Sequence, residues 1–152
     1  MKQTIPKAPL WLGLAGLLPF IWGAASHANP NLAAWGASWG GIGFVGLAVQ
    51  TTYGAVILSF MSGVLWGFAT KTHGRTAALC YVLSVLPALW AFFLMSSPTA
   101  LTGPYLIAGF FGLFILDLVF FQLQLTPDWW LSLRLLLTTI VLTCLLLPFW
   151  LA

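Results

Sequence analysis

Five long apolar segments dominate this chain and limit the folds it can adopt. A bilayer core about 30 Å thick needs roughly 20 apolar helical residues to cross it. Windows near that length, each bounded by polar or charged residues, run over residues 9–25, 45–69, 77–95, 100–121 and 129–151. The pattern predicts an all-α polytopic membrane protein, in which residues 1–152 form a single domain, a bundle of five transmembrane helices.

The composition excludes the common water-soluble classes. Hydrophobic residues make up 61% of the chain and charged residues only 5%, whereas a soluble domain carries about 25% charged residues. A disordered segment, a cytosolic enzyme and a nucleic-acid binder all need far more polar surface than this. We therefore expect the lipid bilayer to be the main partner of the chain, and we expect no binding to nucleic acid.

The stretch between the first two windows permits an alternative with six spans, because two shorter crossings can be drawn through residues 32–69. Six spans would place Lys71 and Arg75 on the opposite side from Lys2 and Lys7, which the positive-inside bias disfavours. Five spans, with the N-terminus inside and the C-terminus outside, are the prediction. An outer loop, or a re-entrant or interfacial piece, would then contain Gly36, Gly40, Gly41 and Gly43.

The tryptophans agree with this topology, since indole rings concentrate at membrane–water interfaces. The inner interface would hold Trp11, Trp66, Trp129 and Trp130, and the outer third or outer loop would hold Trp22, Trp35, Trp39, Trp90 and Trp150.

The first window also resembles a secretory signal peptide, because Lys2 and Lys7 precede an apolar run that ends in Ala-Ser-His-Ala at residues 25–28. The run is longer than the usual signal-peptide core and contains Pro9 and Pro19. Those features favour a retained first span. Cleavage would leave four spans in the same orientation.

Two ionic residues lie inside the predicted spans. Asp117 is about one turn from the cytoplasmic end of the fourth span, and Arg134 is about one turn into the fifth. Charged groups at membrane depth normally face the protein interior and pair with one another. We predict a buried Asp117–Arg134 ion pair across the turn at 122–128. It would act either as a structural clamp or as a functional site, a proton- or ion-responsive carboxylate or an anion-binding arginine.

Small residues recur every four positions in the second span, at Ala55, Ser59, Gly63 and Gly67. Such a stripe lets a neighbouring backbone approach closely. We expect it to pack against another helix of the same chain, with a homodimer seam as the alternative. In either case leucine at Gly63 should disrupt assembly.

The same span carries a candidate polar face made of hydroxyl and amide side chains: Gln50, Thr52, Tyr53, Ser59 and Ser62. Hydroxyls in membrane helices often bond to nearby carbonyls. Helix packing is therefore the first interpretation, and a polar pathway the second.

The remaining chemistry-bearing residues form no recognisable site. His27 and His73 have no second ligand at metal spacing, so no metal or other cofactor is expected. Cys80 and Cys144 lie in apolar stretches, where a thiol behaves as a small hydrophobe. No serine–histidine–aspartate set can be assembled, and we name no catalytic residue.

The block from Tyr53 to Gly67 (YGAVILSFMSGVLWG), preceded by Gly-Leu-Leu-Pro-Phe at 16–20, is similar to a family of small polytopic membrane proteins. This is the domain-of-unknown-function family that includes the mitochondrial transmembrane protein 69. Leu86-Pro87-Ala88, Asp117 and residues 129–134 extend the resemblance. It implies an inner-membrane location and several helices but no activity. The absence of an arginine-rich presequence favours a multi-pass protein of the bacterial inner membrane.

Three function classes follow from these features. The first is a non-enzymatic structural or accessory membrane component, with a homo-oligomer or another membrane protein as a possible partner. The second is a small transporter or channel for an ion or small molecule, which would use Asp117 and Arg134 and would need a water-accessible cavity that reaches Asp117. A lipid- or quinone-modifying enzyme comes last, because so few titratable residues are present.

Overall fold

A computed structural model describes residues 4–96 and 101–151 of the chain, and these residues contain helices and connectors but no strand. The helices are α1 (Lys7–Ala15), α2 (Leu18–Ala28), α3 (Pro30–Gly40), a 3-10 turn (Ile42–Phe44), α4 (Gly46–Ala69), α5 (Gly74–Ser96), α6 (Thr102–Gln122) and α7 (Trp130–Leu151). Five segments are long and apolar enough to cross a membrane: α1 with α2, then α4, α5, α6 and α7. The all-α fold with five candidate spans is thus confirmed.

The connector between the first two spans is helical rather than an open loop. Pro30 occupies the first position of α3, and the Oδ1 atom of Asn29 accepts hydrogen bonds from the backbone N–H groups of Asn31 (2.9 Å) and Leu32 (3.4 Å). This cap and this proline together start a helix. Its 11 residues reach about 16 Å, too short to cross a bilayer. The six-span alternative is therefore wrong.

The first span is broken in the middle, between α1 and α2. Pro19 has no N–H to donate to the carbonyl of Ala15, so the α-helical bonding cannot continue through this point. The N–H of Leu17 bonds instead to the carbonyl of Leu14 at 3.1 Å, in a tighter turn. After the break α2 packs into the bundle, where Phe20 is 1% exposed. Before it, none of the residues of α1, all of them described, is buried. After the break the chain enters the core, whereas α1 stays at the margin of the bundle, in contact with α7.

Helix α4 is at the centre of the bundle and packs against α2, α5 and α6. Its buried face follows spacings of four and three residues, through Gly54, Leu58, Met61 and Leu65. At Gly54 an added Cβ would lie 2.8 Å from the Cδ1 atom of Leu106 on α6. The absence of a side chain there lets the two helices approach closely.

The small-residue stripe does not form this packing face, which corrects the expectation of intramolecular packing. Ala55 is buried, but Ser59, Gly63 and Gly67 are exposed. An added Cβ at Gly63 or Gly67 would meet no described atom within 4 Å. The reason is geometric. A spacing of four residues advances about 40° per step on a helix of 3.6 residues per turn, so a stripe that starts on the buried face has left it by Gly63.

Gln50 joins three spans inside the bundle. Its side chain is fully buried, and its Nε2 atom donates to the carbonyls of Phe20 on α2 (3.0 Å) and Cys144 on α7 (3.3 Å). The carbonyl of Cys144 needs such a partner, because the residue four positions later is Pro148, which has no N–H. The Gln50 amide thus replaces the helical bond that Pro148 removes.

Replacing Gln50 with leucine should lower the free energy of unfolding in detergent by about 1–2 kcal/mol, since hydrogen bonds between membrane helices contribute about 0.6–1.7 kcal/mol each. In a Pro148→Ala background the loss should be smaller, because an alanine N–H can bond to the Cys144 carbonyl. A double-mutant cycle by chemical denaturation measures the difference. Thr52→Val, an exposed change on the same helix, is the control. Equal losses in the two backgrounds would contradict the proposed link to Pro148.

Candidate functional site

Asp117 on α6 is fully buried and lies at the centre of a polar cluster between α6 and α7. Its Oδ2 atom accepts a hydrogen bond from the Nε atom of Arg134 at 2.6 Å. Its Oδ1 atom accepts one from the indole Nε1 of Trp130 at 2.9 Å. The structure thus brings together the two ionic residues singled out in the sequence. Each carboxylate oxygen has a charged or polar donor, as a buried carboxylate requires.

The third member of this cluster, Trp130, was assigned by sequence to an interfacial aromatic belt, and its hydrogen bond to Asp117 was missed. A signal was present. Trp130, Arg134 and Thr138 recur every four residues on α7, and residues four apart lie on the same helical face. Because Trp130 lies on the same helical face as the buried Arg134, its indole N–H can donate to the carboxylate that Arg134 binds.

The cluster continues into the connector between α4 and α5. The ring of Phe68 packs edge-on against Trp130, with 5.1 Å between ring centroids, and the Nζ atom of Lys71 lies 5.1 Å from the centroid of Phe68. Lys71 also donates to the backbone carbonyl of Leu125 at 2.7 Å. These contacts tie the 70–73 connector to the 123–129 connector at one end of the bundle.

The end of α6 presents that carbonyl to Lys71. Gln124 has a φ of 57°, in the left-handed region, its N–H bonds to the carbonyl of Phe121 (2.9 Å), and the N–H of Leu125 bonds to the carbonyl of Phe120 (3.1 Å). This pairing is the Schellman motif that ends many helices. The sequence concealed it, because glutamine stands where glycine is usual.

A cleft of about 600 Å³ lies beside the cluster, between the broken first span, α4 and α7. Apolar side chains form most of its wall, among them Leu12, Met61 and Leu137. Arg134 and Thr138 also line it, whereas Asp117 is absent from the lining contributed by residues 4–96 and 101–151. The cleft thus reaches the cation of the pair but not the carboxylate.

The candidate polar face of α4 is divided among different neighbours. Gln50 bonds to α2 and α7, and Ser62 donates to the carbonyl of Ser84 on α5. Ser59 donates to the Ala55 carbonyl of its own helix at 2.9 Å. Thr52 is exposed, and Tyr53 borders the cleft. The structure does not bring these five side chains together as one polar surface.

Both carboxylate oxygens of Asp117 are hydrogen-bonded within the cluster. Asp117 pairs with Arg134, and the indole N–H of Trp130 donates to the other carboxylate oxygen. The part of the chain that the structure describes contains no group of three histidine, cysteine or carboxylate side chains placed to hold a metal. His27 and His73 are both exposed. Chemically, the arrangement is suited to holding two helices together and to offering hydrogen-bond donors to the cleft.

Comparison with known proteins places these features in a family. The chain is 32% identical over 142 residues to transmembrane protein 69 of Xenopus tropicalis, an alignment that covers 91% of this chain and 52% of the relative. The chain thus spans about half the length of that relative. No solved structure matches it. A family profile described as "protein of unknown function (DUF3429)" matches residues 5–150. This five-span membrane chain therefore belongs to the DUF3429 family, as the resemblance in its second span indicated.

Proposed function

We propose that this protein is a non-enzymatic structural or accessory component of a membrane and that the Asp117–Arg134 pair is a clamp between its last two spans. One observation carries the proposal: both carboxylate oxygens of the fully buried Asp117 accept hydrogen bonds from α7, one from Arg134 and one from Trp130. Two opposite buried charges that pair with each other hold two helices in one register. They leave no acid at this cluster free for proton transfer.

The rival function is a small transporter that moves an ion past Asp117. Such a pathway needs polar, water-accessible space at the carboxylate. The cleft instead has mainly apolar walls, and its lining within the described residues includes Arg134 but not Asp117. This arrangement supports the clamp.

Proton flux into proteoliposomes tests the choice between clamp and transporter. We expect purified protein to leave a pH-sensitive dye inside the vesicles at the rate of empty vesicles, and Asp117→Asn to change nothing in flux while lowering stability. Protein-dependent flux that disappears in an Asp117→Asn variant of normal stability would overturn the clamp and favour the transporter.

The proposed orientation is N-in and C-out in a bacterial inner membrane. The end of the bundle that holds the cluster also carries four charged residues at the starts of spans or in connectors: Lys7, Lys71, Arg75 and Asp128. The positive-inside bias assigns that end to the cytoplasm. Bacterial outer membranes hold β-barrels, so five candidate helical spans suit the inner membrane.

Reporter fusions test the orientation. A fusion at the N-terminus and one in the 70–73 connector should both report the cytoplasm, and a fusion after residue 151 should report the opposite side. Opposite locations for the first two fusions would overturn both the topology and the cytoplasmic placement of the Asp117 cluster.

A further inference from the structure

Two buried hydrogen-bond donors on residues that line the cleft have no partner in the described structure. The Nη2 atom of Arg134 and the Oγ1 atom of Thr138 are buried and bond to nothing within residues 4–96 and 101–151. Their side chains belong to residues that are 6% and 5% exposed. Leaving a buried donor unpaired is unfavourable, so each of these atoms is a group that could bond to a ligand in the cleft.

The Thr138 hydroxyl is unusual on its own helix. Thr139 donates to the carbonyl of Leu135 at 2.7 Å, and Thr143 donates to that of Thr139 at 2.8 Å. Hydroxyls in membrane helices commonly bond in this way to a carbonyl one turn back. Thr138 makes no such bond in the described structure and instead lines the cleft one turn beyond Arg134.

The rest of the cleft is suited to an apolar chain. Its volume of about 600 Å³ is within the range of sites that enclose small ligands, which typically combine apolar walls with a few placed polar groups. The walls come mainly from α1, α4 and α7 and include Leu12, Phe60 and Val64. Arg134 and Thr138 together provide the donors at one side.

The charge balance of the site favours a ligand whose polar head group is uncharged. Asp117 and Arg134 form a pair with no net charge, and an anionic ligand would add an uncompensated negative charge to a site inside a candidate span. Charges at that depth are costly, whereas a neutral carbonyl accepts from both donors without adding one. We propose that the cleft binds an uncharged amphiphile, with a carbonyl oxygen of its head on Arg134 and Thr138 and its apolar tail between α1, α4 and α7. This binding role goes beyond the proposed structural role.

Titration of the full-chain protein in detergent, with bound ligand read by native mass spectrometry, tests the proposal. Two neutral probes carry the carbonyl on different heads: a benzoquinone with a decyl tail, and a monoacylglycerol with an oleoyl tail. Oleate is the anionic comparison. We expect at least one neutral probe to bind more tightly than oleate, and the probe that binds identifies a quinone or a lipid ester as the source of the carbonyl.

Thr138→Val is the decisive variant because it keeps the side-chain shape and removes only the unpaired hydroxyl. It should melt at a temperature no lower than wild type and bind the neutral probe about tenfold more weakly, the effect of one hydrogen bond. Thr139→Val, which removes an exposed hydroxyl on the same helix, should bind as wild type does. Unchanged affinity in Thr138→Val, tighter binding of oleate, or no binding of either neutral probe would overturn the proposal. None of these readouts depends on proton flux, so the clamp and the binding site can fail separately.

Discussion

Replacing Asp117 with asparagine is expected to lower the free energy of unfolding by about 3–5 kcal/mol, the usual cost of removing one partner of a buried ion pair. Arg134 is 6% exposed and would keep its charge after losing its carboxylate partner. An asparagine oxygen can still accept from one donor, but the amide cannot neutralise the guanidinium. Thermal and chemical denaturation in detergent, together with the amount of protein in the membrane, measure the loss.

A paired replacement separates the charge effect from a packing effect. Asp117→Leu combined with Arg134→Met removes both charges and should recover most of the stability, because apolar replacements of buried ion pairs are often neutral or stabilising. Exchanging the two charges should recover less, since the indole N–H of Trp130 would then face a cation. A single Asp117→Asn variant that unfolds like wild type would contradict the clamp.

Replacing Gly23 with leucine should lower the free energy of unfolding by about 3 kcal/mol or prevent folding, since overpacking typically costs about 1–3 kcal/mol even for smaller additions. A Cβ at Gly23 would overlap the side chain of Gln50 and would lie 2.8 Å from the carbonyl oxygen of Gly46. Backbone cannot move aside as a flexible side chain can. The yield and melting temperature of the purified variant measure the effect.

Gly63→Leu is the matched control on the next span. Its added side chain would meet no described atom within 4 Å of the Cβ, so the stability of the monomer should change by less than about 0.5 kcal/mol. This reverses the expectation drawn from the small-residue stripe. A Gly63→Leu variant as unstable as Gly23→Leu would show that the stripe is covered in the folded protein, and light scattering would then show whether a second copy covers it.

The features that the sequence predicts correctly are those whose free energy depends on one segment of the chain by itself. The five candidate spans follow from hydropathy summed over about 20 residues, and each lies within three residues of its expected bounds. Asp117 and Arg134 could be selected because a charge in a span is costly wherever its helix packs. The break before Pro19 has the same kind of local cause, the missing N–H of proline.

The sequence does not predict which face of a helix packs or which groups bond between helices, because both depend on the neighbouring helix. A helix in lipid is apolar on all sides, so no hydrophobic stripe marks the face that packs. That is why the small-residue stripe was assigned to the wrong face of α4, and why Gln50 could not be matched with the carbonyl that Pro148 frees.

The amino-acid sequence alone thus determined that this protein lies in a lipid bilayer and how many candidate spans it has. It also identified the two charged residues that need each other as partners. Only the tertiary structure decided that Trp130 donates a hydrogen bond to Asp117, that a cleft lies between α1, α4 and α7, and that Thr138 lines this cleft. The physical reason is that transfer into lipid is a property of each segment by itself, whereas a hydrogen bond or a cavity between helices exists only once their relative positions are set.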